Sequence, residues 1–373
     1  MPVEIAYPAI HVEERGTAHP IAGVPTSTTA FIGVAARGPV DVPTALSSFT
    51  DFERLFGGPA SDLALGYAVR QFFDNGGRDA VIVRTDSPMP DGALGALERT
   101  TFNLLCLPPR QAGLDLAPAT RGAAADLCRR RNALFIVDPS HAWARSSEAI
   151  SGLDAYFPQR GAESALYFPL LRGADPLAGG TIRTFAPCGA IAGLMARTDS
   201  RRGVWKAPAG LEASLRGGLM PAIPLNDRDG EVLNPLGINA LRTFPRVGTV
   251  AWGARTLARP DGGKNDEKYV PVRRLAAFIA QSVSRALEGV VFEPNVEATW
   301  NRVREAVDRF LHDLFRQGAM AGRTPREAYL VKCDAETTRA ADIAAGRANL
   351  LVGFAPLRPA EFVMLRFALT MQG

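Results

Sequence analysis

The segment Phe362 to Leu369, FVMLRFAL, constrains the fold more than any other. With the two-residue period of a strand, one face carries Val363, Leu365, Phe367 and Leu369. The other carries Phe362, Met364, Arg366 and Ala368. Both faces are largely apolar, so the strand needs cover on both. Yet it stands at the end of the sequence, where chains usually run at the surface, and an exposed strand of this kind aggregates unless it is paired. Residues 1–15 have a similar character. Val3, Ile5 and Tyr7 alternate with Glu4 and Ala6, and after Pro8 the pattern resumes with Ile10 and Val12. Pro2 and Pro8 cannot donate ladder hydrogen bonds, which makes this an edge or bulged strand. Gly/Pro-rich connectors, Gly16 to Pro25 and Pro356 to Pro359, join the two segments to the rest. Two arrangements satisfy such ends. Each strand pairs inside its own domain, or each is added to a sheet in a neighbouring copy. The second contact joins unlike surfaces, so its repetition gives a ring or an open helix. On pattern alone, own-domain pairing is favoured.

Between the ends the rhythm is α/β. Strands are expected at Thr28 to Val34, Ala80 to Arg84, Phe102 to Leu107, Ala133 to Val137, Ser164 to Leu171 and Thr249 to Trp252. Helices are expected at Ser48 to Phe56, Leu63 to Phe73, Ala119 to Arg131 and Cys188 to Thr198. This alternation favours a mostly parallel sheet covered on both faces. Gly203 to Gly237, rich in Gly and Pro, reads as a long surface excursion. Two amphipathic helices follow, Val272 to Glu288 and Val296 to Gln317; the second buries Trp300, Val303, Val307, Phe310, Leu311 and Leu314. Tyr329 to Cys333 and Asn349 to Phe354 are strands. The fold class is α/β: a mixed sheet with helices on both faces, a smaller C-terminal α+β domain, and extended N- and C-terminal strand arms. The expected divisions are an arm at 1–20, a body at 21–248, a C-terminal domain at 249–358 and a second arm at 359–373.

Composition narrows the function. The 373 residues carry a formal net charge of +4, too slight for an obligate nucleic-acid binder. Cys106, Cys128, Cys188 and Cys333 are too far apart for a CxxC pair, and His11, His19, His141 and His312 are scattered, so neither a metal site nor a cofactor is signalled. The start, Met1-Pro2-Val3-Glu4-Ile5, lacks the basic region and apolar core of a signal peptide, and the apolar runs read as too short to span a bilayer. Cytoplasmic folding without membrane insertion is the expectation. Gly262-Gly263-Lys264 lacks the glycine spacing of a phosphate-binding loop. Asp138 and His141, with Cys188, could be cast as a hydrolase trio, and a cytoplasmic α/β hydrolase is the alternative function. No G-x-S-x-G supports it. Arg302, Arg309 and Arg316 recur every seven residues and so share one helix stripe. That stripe is either a contact for an acidic partner or a solvated face with intrahelical pairs such as Glu305–Arg309 and Arg309–Asp313. Trp205, in GVWKAPAG, either anchors a neighbour or pins its own loop.

A series of segments in fixed order resembles the contractile tail sheath family of phages, R-type bacteriocins and extracellular contractile injection systems. They are YPAIHVEE (Tyr7 to Glu14), PIAGVPTSTTAFIG (Pro20 to Gly33), LGYAVRQFFDNGGRDAVIVR (Leu65 to Arg84) and PCGAIAGLMARTDSRRGVWKAPAG (Pro187 to Gly210). GINALRTFPRVGTVAWGARTL (Gly237 to Leu257), KYVPVRRLAAFI (Lys268 to Ile279), FEPN (Phe292 to Asn295), the Trp300 helix and PAEFV (Pro359 to Val363) continue the series. Ala9, His11 and Cys188 depart from the family pattern.

The resemblance implies a structural subunit and no enzyme. Copies stack as hexameric rings into a helical sleeve around an inner tube, held by a baseplate and a terminal cap, with sister sheath proteins as further candidate partners. The arms exchange strands with neighbours, through Val3, Ile5, Tyr7, Ile10 and Val12 at one end and Phe362, Val363, Met364, Leu365, Phe367 and Leu369 at the other. The sleeve assembles in the cytoplasm in a strained, extended state and then shortens by rigid-body rotation of its subunits. In this setting the resemblance favours strand exchange, and Arg302, Arg309 and Arg316 become candidates for tube contact.

Overall fold

Alternation inside buried strands builds the larger part of the molecule. The computed structural model describes residues 20–87, 90–111, 113–259, 266–357 and 362–371. In chain order the strands of the first half are β1 (Thr29–Gly33), β2 (Thr44–Leu46), β3 (Ala80–Arg84), β4 (Leu104–Cys106), β5 (Leu134–Val137) and β6 (Ser164–Phe168). The helices between them are α1 (Phe49–Phe56), α2 (Ala64–Asp74), α3 (Asp91–Leu97), α4 (Pro118–Arg131) and α5 (Ser146–Tyr156). There follow β7 (Leu171–Ala174), β8 (Ile182–Phe185), α6 (Cys188–Arg202), β9 (Met220–Pro221), α7 (Asp227–Leu233), β10 (Ile238–Phe244) and β11 (Gly248–Ala251). The last third holds α8 (Val270–Ala286), α9 (Glu297–Arg316), α10 (Pro325–Ala328), β12 (Tyr329–Lys332), α11 (Ala340–Ala344), β13 (Arg347–Phe354) and β14 (Val363–Thr370).

The main sheet has the order β11-β10-β6-β5-β4-β1-β3-β2. The six inner strands are mutually parallel, and β2 and β11 close the edges antiparallel. Successive side chains of each strand point to opposite faces. Phe31, Ile82, Leu104, Ile136 and Tyr167 therefore meet α1, α2 and α6 on one side. Ala30, Ile32, Val81, Leu105, Phe135 and Leu166 meet α3, α4 and α5 on the other. This is the expected mixed sheet with helices on both faces.

The C-terminal unit has its own core. Leu275, Ile279 and Val283 of α8 and Val303, Val307, Phe310, Leu311 and Leu314 of α9 pack under a small sheet of order β12-β13-β14. Val270–Phe292 is the one helical stretch among the described residues long and apolar enough to cross a membrane, with mean hydropathy 1.3. The expectation that every apolar run is too short is corrected here. Leu275, Ile279 and Val283 of this stretch pack in the core, and a third of its most apolar window is buried. Residues 249–251 pair with β10, so the start of the expected C-terminal domain sits in the main sheet. The expected strand Ser164 to Leu171 ends as β6 before Pro169; its last residue, Leu171, opens β7, which joins a separate sheet with β8 and β9.

Candidate assembly interface

β14 is the element that most calls for a partner. All eight of its residues pair antiparallel with β13 of the same chain, from Val363↔Phe354 to Thr370↔Arg347. The expectation that residues 359–373 leave the body as an arm is thus not what the single chain displays over 363–370. β13 offers a free edge and the C-terminal core offers an apolar bed, so the strand docks at home. Val363, Leu365, Phe367 and Leu369 face that core and are half-buried. Met364, Arg366 and Ala368 face outward and are exposed, as is Phe362 just before the strand. Only β13 flanks β14 in the sheet, which leaves its other edge open among the described residues. Gly353 of β13 lets Met364 lie flat on the outer face, since a Cβ there would come within 2.7 Å of the Met364 sulfur. Val3, Ile5, Tyr7, Ile10 and Val12 lie outside the described residues, as do His11, His19 and Gly262-Gly263-Lys264.

On α9 the arginine stripe is exposed, opposite the buried face. Arg302 pairs with Glu293 at 2.7 Å. Arg309 donates to the Glu305 carbonyl at 3.2 Å, and the expected Glu305–Arg309 and Arg309–Asp313 carboxylate pairs do not form. Sequence reading missed the role of Asn295 in FEPN. Its Oδ1 accepts from the Trp300 indole at 2.8 Å and its Nδ2 donates to the Arg347 carbonyl at 3.1 Å, tying the start of α9 to the start of β13. Beside it Phe292 is 76% exposed, the most exposed large apolar side chain described. Trp205 pins its own loop: its ring lies over Gly203 and against the C-terminal core. Gly203 has φ of 86°, and any Cβ there would collide with the indole.

The hydrolase trio is present but not assembled. Asp138 sits at the end of β5, and its Oδ1 accepts the backbone N–H of Cys188, the first residue of α6, at 2.8 Å. Cys188 is fully buried, and burial pushes its thiol well above the usual range. His141 turns elsewhere. Its Nε2 accepts the Gly113 N–H at 3.1 Å, which leaves Nδ1 to donate to Asp115 at 3.2 Å. Among the described residues no cluster of His, Cys, Asp and Glu has the geometry to hold a metal.

Asp138 has a stability consequence instead. Its Oδ2 is buried without a partner, and burial raises the carboxyl from 3.8 to about 7. Between those values the folded chain keeps a proton that the unfolded chain has lost. Stability therefore falls as pH rises through the window and stays lower above it. Asp138→Asn should remove this slope. The thermal midpoint of the variant, measured against the unsubstituted chain, should gain more at pH 8 than at pH 5; an equal difference at both would contradict the assignment.

Comparison with known proteins places this geometry. Residues 264–370 match the family described as phage tail sheath C-terminal domain. Over 183 residues the chain is 27% identical to a tail sheath protein of Vibrio phage KVP40, a match that spans 49% of this chain and only 26% of that protein. It is similar over 98% of both chains, at 30% identity and a TM-score of 0.76, to the sheath of an extracellular contractile injection system, PVC, solved in the contracted state. The contracted helical sheath of the anti-feeding prophage is similar at 30% identity and a TM-score of 0.74, over 98% of this chain and 99% of that one.

Proposed function

The chain belongs to the contractile tail sheath family, and on that premise we propose that it polymerises as a helical sleeve around an inner tube and contracts to drive the tube through a target envelope. The observation that carries this reading is β14, a largely apolar strand whose second edge and outward face are uncovered among the described residues. A strand that completes its own sheet in a lone chain can complete the same sheet in a neighbour, because the donor and acceptor contacts are identical. Repeated around a ring and along an axis, this exchange makes a mesh in which ladder hydrogen bonds contribute about 1 kcal/mol each. The extended sleeve is the strained state; contraction releases it by rotation of whole subunits, and no nucleotide enters the stroke.

The partners in this reading are further copies stacked as hexameric rings, an inner tube, a baseplate, a terminal cap and sister sheath proteins. The particle is a phage tail or phage tail-like injection device, assembled in the cytoplasm. Arg302, Arg309 and Arg316 are proposed to face an acidic tube surface. Negative-stain micrographs of the purified chain should contain long hollow tubes, and small oligomers alone would contradict the function. Changing all three arginines to glutamate should abolish co-assembly with the tube while leaving the thermal midpoint within a few degrees. Normal co-assembly would dismiss the tube contact.

A further inference from the structure

Residues 20–28 lead into β1, and they touch the fold at about every second residue. Ile21 packs on the C-terminal core. Gly23 lies so close to α8 that a Cβ would come within 2.8 Å of the Phe278 ring. The Val24 N–H donates to Ser282 Oγ of α8 at 3.1 Å, and Ser282 is fully buried. Thr26 Oγ1 donates to Asp199 Oδ2 of α6 at 2.7 Å. Arg274 of α8 grips the same carboxylate with both ends of its fork, Nη1 to Oδ1 at 2.9 Å and Nη2 to Oδ2 at 2.6 Å. Its Nη2 also donates to the Thr26 carbonyl at 2.9 Å. The side chains of Arg274 and Asp199 are each only 4% exposed. Thr28 then donates to Asn103 Oδ1 at 3.0 Å, and β1 begins.

A buried ion pair is a weak source of stability, since apolar side chains of similar volume often serve as well. What a bidentate pair supplies is fixed geometry. Here three bodies meet at one carboxylate: the strap 20–28, α6 of the main sheet and α8 of the C-terminal unit. We infer that the Arg274–Asp199–Thr26 clamp is the anchor of the N-terminal arm. It sets the position and direction of the chain where the strap begins, at residue 20. It also passes load on the arm into α6 and α8 together, instead of letting the load peel the strap toward β1. This rests on the strand-exchange reading above. Arg274, Asp199, Thr26 and Ser282 are positioning residues in this scheme.

The test uses the full chain with two double variants. Arg274→Met with Asp199→Leu removes both buried charges. Thr26→Val with Ser282→Ala keeps the ion pair and removes two of the strap's hydrogen bonds, and it carries the test where the first variant does not fold. In the unassembled chain, amides of residues 22–28 should exchange with deuterium at least tenfold faster in either variant, while the amides of α6 and α8 stay within about twofold of the unsubstituted chain. Sheaths assembled from the variants and then contracted should break into short pieces in micrographs. Unchanged strap protection, or contracted sheaths as continuous as those of the unsubstituted chain, would overturn the anchor. An unsubstituted chain that forms no sheath sinks the sheath reading instead, and the exchange rates still decide whether the clamp holds the strap.

Discussion

Leu365→Pro should reduce tube formation at least tenfold while leaving the chain folded. Leu365 sits in the middle of β14, opposite Val352 of β13. Proline removes the N–H at that position, and its fixed φ distorts the strand on either side. Whichever edge the lost donor served, the home sheet or an incoming ribbon, a sleeve built from β14 pairing loses a ladder bond at every subunit. The loss multiplies along the mesh. Folding suffers less, because β14 is an edge strand and the two cores flanking the main sheet do not include it. The thermal midpoint of the unassembled variant should fall by only a few degrees, and micrographs should lack tubes. Tubes in normal yield would count against strand exchange as the joint.

The second large effect is on folding. α6 crosses α2 at a seam with no room for side chains. A Cβ added at Gly189 would lie 2.0 Å from the Ala68 carbonyl oxygen, and one at Gly193 would lie 2.3 Å from the Phe72 carbonyl oxygen. The obstacles are backbone atoms of α2, so the helices must separate to admit anything. Separation opens the core built from Val69, Phe72, Ile191, Leu194 and Met195. Overpacking typically costs about 1–3 kcal/mol and sometimes more. Gly193→Leu should exceed about 3 kcal/mol and leave little soluble protein. Gly230→Ala in α7, where a Cβ meets nothing within 4 Å, should instead be neutral or stabilise by about 0.5–1 kcal/mol. Soluble yield and thermal melts distinguish the two. A Gly193→Leu variant that melts like the unsubstituted chain would refute the close seam.

Much of this architecture could be read from periodicity. The stripes of α8 and α9 and the buried runs of β1, β3 and β5 repeat apolar residues at the spacing their faces require. β10 was missed because polar residues interrupt it for reasons that are tertiary. Asn239 is buried, donating to the Leu166 and Arg255 carbonyls, and Arg242 lies over the rings of Phe244 and Trp252. β7 (LRGA) and β8 (IRTF) were missed because neither has the unbroken apolar run that marks the equally short β5, and Arg183 of β8 belongs to a network with Asp175 and Tyr67 that no local pattern reveals. α7 carried a readable signal, the capping box of Asn226 and Asp229, inside a stretch whose Gly and Pro content suggested only a loop. The interface divides in the same way. The apolar strand Phe362 to Leu369 was legible, and its pattern favoured the own-domain pairing it makes; that the partner is β13 was not legible, because a period of two marks the face of a strand and not its neighbour. The clamp of Arg274 on Asp199 spans 75 positions and leaves no trace in spacing.

The most direct measurement uses the register of that pairing. Asn349 of β13 lies opposite Ala368 of β14, and the four native cysteines are all buried. Chains carrying Asn349→Cys alone and chains carrying Ala368→Cys alone are mixed, assembled into tubes and oxidised. If one copy lends β14 to the next, disulfide-linked dimers of the two variants accumulate in tubes and are absent from the unassembled mixture. If each copy keeps β14 on its own β13, the mixture gives no dimer even in assembled tubes, only a chain carrying both substitutions closes an internal link, and the exchange account is contradicted.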